Sequence, residues 1–204
     1  MRNQFFSGRV FGRSKPLPYK YLLHFLTAGR RLLPPHTERN FHMIVHPIAP
    51  LFDENSKILI LGSFPSVKSR EQGFFYGHPQ NRFWRVMARI CGKETPQSIE
   101  AKTQLILENH FALWDVIHSC EITGSADSSI KNVQPNDLSE ILEKADIKQV
   151  FLNGKKAEAL YNKYIQANIS IPAEVLPSTS PANASWSEDR LFEYWNMKIK
   201  SIKE

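Results

Sequence analysis

The sequence predicts an α/β protein in which a parallel sheet is covered by helices on both faces. Two observations carry this. From Met43 onward, short apolar runs alternate with segments whose apolar residues fall at helical spacing. Such continuous runs suit strands buried on both faces. In addition, four strand ends carry distinctive loops, at 62–81, 114–115, 153–154 and 176–184. In a parallel sheet all four leave by the same edge, and ligands of open α/β folds bind at that edge.

Each element has its own warrant. Residues 57–63 hold Ile58-Leu59-Ile60-Leu61 between Lys57 and Gly62, a buried strand ending in a tight turn. A helix is expected over 81–91, with Phe83, Trp84, Met87 and Ile90 on one face and Phe83 and Trp84 in the core. A second helix is expected over 96–108, and 110–116 (HFALWDV) reads as the next strand. A helix over 135–145 takes Pro135 in its first turn. IKQVFL, 147–152, is the third strand, followed by Asn153-Gly154, an ordinary turn dipeptide, and a helix over 155–167. Residues 174–176 form a short fourth strand. The last helix, 185–202, opens on Ser185-Trp186-Ser187-Glu188, which fits a capping box.

Composition bounds the function. Hydrophobic residues make up 42% and charged residues 23% of 204, so the body is globular. No apolar run approaches the ~20 residues of a membrane span. Two distant cysteines, Cys91 and Cys120, exclude a four-cysteine metal or iron–sulfur site, and are expected as buried thiols in a reducing cytoplasm. The net charge of +6 is unevenly spread. Residues 1–42 hold eight of the 26 bases and one of the 20 acids, so they carry +7 and the rest −1. Residues 1–42 therefore read as a basic extension, disordered or upstream of the natural start, and 43–204 as the folded domain. A body of −1 must concentrate its bases on one face to meet nucleic acid. The densest group is Lys68, Arg70, Arg82, Arg85 and Arg89.

The segment 62–84, GSFPSVKSREQGFFYGHPQNRFW, carries the most chemistry. Gly62, Ser63, Pro65, Ser66 and Ser69 let a backbone approach a ligand closely. Phe74, Phe75 and Tyr76 offer flat surfaces for stacking. Asn81 carries both a donor and an acceptor just before a helix. His78 is either a turn residue or a contact to phosphate. LPSTSPANA, 176–184, sets hydroxyls and small residues before a helix N-terminus, where backbone N–H groups can hold phosphate. Together these suit a nucleobase on a phosphate backbone.

GSFPSVKS, GFFYGHPQNRFW, ALWDVI, GSADSSIKNVQPNDL, VFLNGKKA and LPSTSPANA, in that order, resemble the hypoxanthine-DNA glycosylase branch of the uracil-DNA glycosylase superfamily. The resemblance covers roughly 43–202. The HPxNRFW element is also similar to the mismatch-specific uracil-DNA glycosylases. The resemblance implies a three-layer αβα sandwich around a four-stranded parallel sheet. It also implies hydrolysis of the N-glycosidic bond of deoxyinosine, with neither metal nor organic cofactor. The implied partner is double- or single-stranded DNA carrying a deaminated base, met by a cytoplasmic monomer with no membrane association. Uracil, xanthine or mismatched bases are alternative substrates, and a silent nucleic-acid-binding module on the same fold is the rival of another class. In most of the superfamily an Asp or Asn stands two places after the strand-end Gly and orients water; here that position is Phe64. The resemblance accordingly assigns catalysis to Asn81. It assigns base binding to Phe64, Phe75, Tyr76, Trp114 and Asp115. DNA contacts fall to Ser63, Ser66, Ser69, His78, Ser178, Thr179, Ser180 and Asn183, with Pro181–Ala184 entering the minor groove.

Overall fold

In a computed structural model the described residues are 43–124 and 126–203. The extension expected over 1–42 lies outside them. The chain begins with β1 (Met43–Val45) and β2 (Ile58–Gly62), then α1 (Val67–Gln72), α2 (Phe83–Ile90) and α3 (Ile99–Glu108). Strands β3 (Phe111–Asp115), β4 (Ile117–Glu121) and β5 (Lys131–Pro135) follow, then α4 (Ser139–Lys144). The chain closes with β6 (Gln149–Asn153), α5 (Lys155–Tyr164), β7 (Ala173–Leu176) and α6 (Glu188–Lys203).

The four apolar runs pair as expected, in one parallel sheet of order β3-β2-β6-β7. Strand β2 is central and buried at every position. Its alternate residues feed two cores. Ile58 and Ile60 pack with Phe83, Met87, Ile106, Leu191 and Trp195, under α2, α3 and α6. Leu59 and Leu61 pack with Ile141, Ala157, Leu160 and Tyr161, under α4 and α5. Helix, sheet and helix thus form three layers. Each large apolar side chain taken fully out of water contributes ~1.5–3 kcal/mol, so the period-two burial of β2 fixes the register on both faces.

The register aligns the strand ends. Gly62 lies opposite Asp115, and Asn153 opposite Leu176. The loops that follow β2, β6 and β7 therefore converge, with the end of β3, at one edge.

Four features differ from the sequence expectation. A second, antiparallel sheet of order β1-β4-β5 stands beside the parallel one. Its strands are short and partly exposed, and β5 is mostly exposed, so no apolar run marked them. The helix expected over 135–145 begins only at Ser139; Pro135 instead ends β5, an edge strand. Proline suits that place because it lacks the donor a central strand needs, and Asp137 Oδ1 accepts from the Ser139 N–H at 3.0 Å. The capping box at 185–188 is not formed. The Ser187 hydroxyl accepts from the Arg190 N–H at 3.3 Å, while the Ser185 hydroxyl donates to Asn183 Oδ1. Helix α1 is also new: Ser66 caps it and Gly73, at φ 64°, ends it within two turns, too short for an apolar period to register.

Candidate active site

The converging loops enclose a cavity of about 310 Å³. Small-molecule pockets span ~300–1,000 Å³, so this one is sized for a compact planar group. Its lining includes Ser63, Phe64, Ser66, Ser69, Phe75, Tyr76, His78, Asn81, Asp115, Ser178, Thr179 and Ser180. Twelve expected residues, from three separate stretches of chain, thus meet in one place.

Two expected residues do not line it. The Trp114 indole turns to donate to the Ile48 carbonyl at 3.3 Å. Side chains alternate along a strand, so with Asp115 facing the cavity its neighbour faces elsewhere. Asn183 is spent inside its own loop, donating through Nδ2 to the Ser178 carbonyl at 2.9 Å.

At the mouth, Asn81 sits just before α2. Its Oδ1 accepts from the Phe83 N–H at 3.0 Å, which caps the helix and fixes the side chain. The amide –NH₂ is the group left to serve the cavity. His78 is oriented in the same manner, its Nδ1 accepting from the Gln80 N–H at 3.2 Å.

The aromatic wall is rigid. Tyr76 stacks on Phe83 with ring centroids 3.8 Å apart and an interplanar angle of 20°. Its backbone is held at φ 52°, the left-handed region that a bulky residue rarely adopts. Such strain persists only where the surroundings enforce it. The Tyr76 hydroxyl is buried beside the Asn153 amide. Burial above all, and then the charge of Asp115, pushes its pKa well above the usual phenol value. Phe75 is buried beside it, and the Trp84 indole holds its carbonyl at 3.1 Å. Phe64 is 8% exposed, edge-on to His46 and beneath the Arg70 guanidinium.

The hydroxyls are partly committed to structure. Ser69 is buried, shares a bond with Ser66 at 3.1 Å and accepts from the Gly77 N–H at 3.0 Å. Thr179 is fully buried and paired twice with Asn153: its N–H donates to Asn153 Oδ1 and its Oγ1 accepts from Asn153 Nδ2, each at 3.0 Å. Ser180 Oγ accepts from the Ala182 N–H at 3.3 Å, and Pro181 and Ala182 form the exposed tip.

Four residues that the sequence reading gave no site role also shape the cavity or its walls. Asn153, read as half of a turn, lines the cavity and anchors the 176–184 loop. Gly154, at φ 99°, passes so close to Ser178 that any Cβ would collide with it at 2.7 Å. His46 and Asn136 brace Asp115. His46 Nε2 lies 2.8 Å from Asp115 Oδ2, and Asn136 Nδ2 donates to the Asp115 carbonyl at 2.8 Å. A lone histidine and a lone asparagine carry no sequence pattern; only the tertiary pairing reveals them.

The members of the basic patch are engaged within the protein, Arg70 with the Pro65 carbonyl at 2.8 Å. Arg85 and Arg89 pair with Glu188 and Asp189 of α6, and Lys68 pairs with Glu71. Arg82 donates to the backbone carbonyls of Thr179, Ser180, Asn183 and Trp186. Burial, with Arg85 nearby, lowers its pKa. Among the described residues no His, Cys, Asp or Glu cluster could hold a metal ion, and no helix is long and apolar enough to cross a membrane.

Comparison with known proteins agrees with this geometry. The model of the uracil DNA glycosylase superfamily matches residues 49–200. The chain is 34% identical over 154 residues to a hypoxanthine DNA glycosylase of Methanosarcina acetivorans, covering 74% of this chain and 96% of the relative. It is 37% identical over 137 residues to a hypoxanthine DNA glycosylase of Methanosarcina barkeri, covering 66% and 85%. The solution NMR structure of a candidate uracil DNA glycosylase from Methanosarcina acetivorans superposes with a TM-score of 0.67 at 32% identity. That match covers 79% of this chain and all of the other.

Proposed function

The chain belongs to the uracil DNA glycosylase superfamily, and from that premise we propose that it excises hypoxanthine from DNA by hydrolysing the N-glycosidic bond of deoxyinosine. The observation that carries the reading is the cavity where the 62–81 and 176–184 loops meet. It joins an aromatic wall, an oriented amide and a small-residue rim. The relatives named for hypoxanthine support the choice of base.

A base inside a duplex is out of reach of such a cavity, so the deoxyinosine rotates out of the stack. The exposed tip at Pro181 and Ala182 enters the vacated space, and Ser178 and Ser180 meet the flanking phosphates. The base lies against the face of Tyr76 opposite Phe83, and base–aromatic stacking contributes ~1–3 kcal/mol. Breaking the bond leaves positive charge on the sugar and negative charge on the departing base. Donors already aimed at the base stabilise that separation without reorganising. Asn81, its oxygen tied to Phe83, offers its –NH₂ to the base or to the attacking water. Phe64 keeps the space beside the sugar apolar and excludes the polar group that uracil excision relies on elsewhere in the superfamily. The products are free hypoxanthine and an abasic site. The protein is proposed to act on DNA as a cytoplasmic monomer.

The test is parallel incubation with duplexes carrying inosine, uracil, xanthine or a mismatch, followed by alkali. Strand scission is expected at inosine first. Retention of inosine DNA with no scission at any of the four bases sinks the enzymatic reading and leaves a binding module.

A further inference from the structure

The loop over 176–184 holds one residue that cannot meet DNA, although its row of hydroxyls reads as a row of phosphate contacts. Burial alternates along it: Ser178 and Ser180 are half-buried, and Thr179 between them is fully buried. The polar groups of Thr179 are engaged within the protein. Its N–H donates to Asn153 Oδ1 and its Oγ1 accepts from Asn153 Nδ2, each at 3.0 Å. Its carbonyl accepts twice from Arg82, from the backbone N–H at 3.1 Å and from Nε at 3.2 Å. No surface of Thr179 is left for a phosphate oxygen.

The bond to the Arg82 N–H reaches the chemistry. That N–H belongs to the planar peptide that joins Asn81 to Arg82. On the other side, the Asn81 N–H donates to the His78 carbonyl at 2.8 Å. The main chain of Asn81 is thus held by its own loop on one side and by Thr179 on the other. Asn153 holds Thr179 in turn, from the end of β6, where it lies in register with Leu176. The Tyr76 hydroxyl lies beside the same Asn153 amide. One buried residue therefore links the rim of the cavity, the end of the parallel sheet and the peptide that carries the Asn81 amide.

We propose, building on the glycosylase reading above, that Thr179 is a positioning residue for Asn81 and not a DNA contact. Phosphates seated on Ser178 and Ser180 hold the loop closed. Thr179 carries that constraint to the Asn81–Arg82 peptide, and the Asn81 –NH₂ is set where the base or the water needs it. Excision is thereby made conditional on a seated DNA backbone, and a base that enters the cavity without its flanking phosphates meets a misplaced amide.

The experiment separates affinity from chemistry. Affinity is read with a duplex carrying a hydrolysis-resistant analogue of deoxyinosine, and chemistry as single-turnover release of hypoxanthine at saturating enzyme. Thr179→Val keeps the volume and the backbone bonds and removes the hydroxyl oxygen that Asn153 holds. The rate is expected to fall about tenfold or more while affinity changes less than about threefold, since a misplaced group slows the step without weakening ground-state binding. Thr179→Ser keeps the hydroxyl and should restore most of the rate. In an Asn81→Ala background, Thr179→Val should slow release less than about twofold further, because residues that act through one another are not additive. The unaltered protein, on a duplex with neutral methylphosphonates flanking the deoxyinosine, should also lose about tenfold or more in saturated rate, independently of any variant's folding. A folded Thr179→Val that loses affinity at an unchanged rate makes Thr179 a DNA contact and overturns the inference. So does Thr179→Ser as slow as Thr179→Val, a loss that multiplies with that of Asn81→Ala, or methylphosphonates that weaken affinity alone. If the unaltered chain releases no hypoxanthine from the unmodified duplex, the glycosylase reading falls and this inference with it; normal release together with any of those four outcomes removes this inference alone.

Discussion

In the proposed mechanism Asn81 meets two demands at once. Its Oδ1 caps α2 through the Phe83 N–H, and its –NH₂ remains for chemistry. The two separate by substitution. Asn81→Ala loses both and should slow single-turnover excision by ~10²–10³, with ~0.5–2 kcal/mol of stability lost with the cap. Asn81→Asp keeps an acceptor for Phe83 and should melt near wild type while excising as poorly as Ala; an active Asp variant would mean that the donor is not what matters. Tyr76→Phe keeps the ring, so it should change stability by less than ~1.5 kcal/mol and keep most activity. Tyr76→Ala should lose activity, and equal losses in both would defeat the stacking argument. Phe64→Asn restores a polar group beside the sugar at a cost of ~3–5 kcal/mol for the lost packing. Measurable uracil release by the folded variant is expected, and a folded variant that still ignores uracil would shift suspicion to the cavity wall. At this scale the place of Asn81, Tyr76 and Phe64 in the cavity lining was legible because they belong to one contiguous motif. His46 and Asn136 were not, because their meaning lies in a bond to residue 115 across 69 and 21 positions of chain.

The element that most needs support is the loop over 176–184. It has no regular structure, and its carbonyls are gathered by a single guanidinium, Arg82, from the start of α2. From sequence Arg82 counted as part of a positive patch; its partners lie about a hundred residues away, so no local pattern could assign it. Its planar fork of donors suits several carbonyls at once, which a lysine cannot reproduce. Arg82→Lys and Arg82→Ala should therefore resemble each other, with ~2–4 kcal/mol of stability lost and faster proteolysis within the loop. Full rescue by Lys, read from melting temperature, would show that charge alone suffices. Asn153 fastens the other side of the loop through Thr179. Asn153→Ala should lower excision more than stability, because it frees a rim that must meet DNA. The helices α2 and α6 were legible from apolar spacing, but the ion pairs Arg85–Glu188 and Arg89–Asp189 that join them were not.

For the whole molecule, the parallel sheet followed from four apolar runs because burial on both faces leaves that mark in any sequence. The antiparallel sheet left none, since its strands are short and half wet. It nevertheless carries β1 into the fold and brings His46 to Asp115. A chain starting at Met43 is therefore expected to melt and excise like the full chain, whereas one starting at residue 49 should lose stability. A large fall in melting temperature on removing 1–42 alone would contradict this. Charge makes a related claim. The bases of the 62–89 region are occupied within the protein, and residues 1–42 carry +7. Non-specific DNA affinity should thus fall steeply with salt for the full chain, and much less for the chain from Met43. The central claim is that the cavity performs hydrolysis and does not merely hold a base. Its most direct measurement is chromatography of the base released from an inosine duplex with enzyme in excess. The account expects stoichiometric free hypoxanthine from the wild type and almost none from Asn81→Asp; duplex bound by both with no hypoxanthine from either would contradict it.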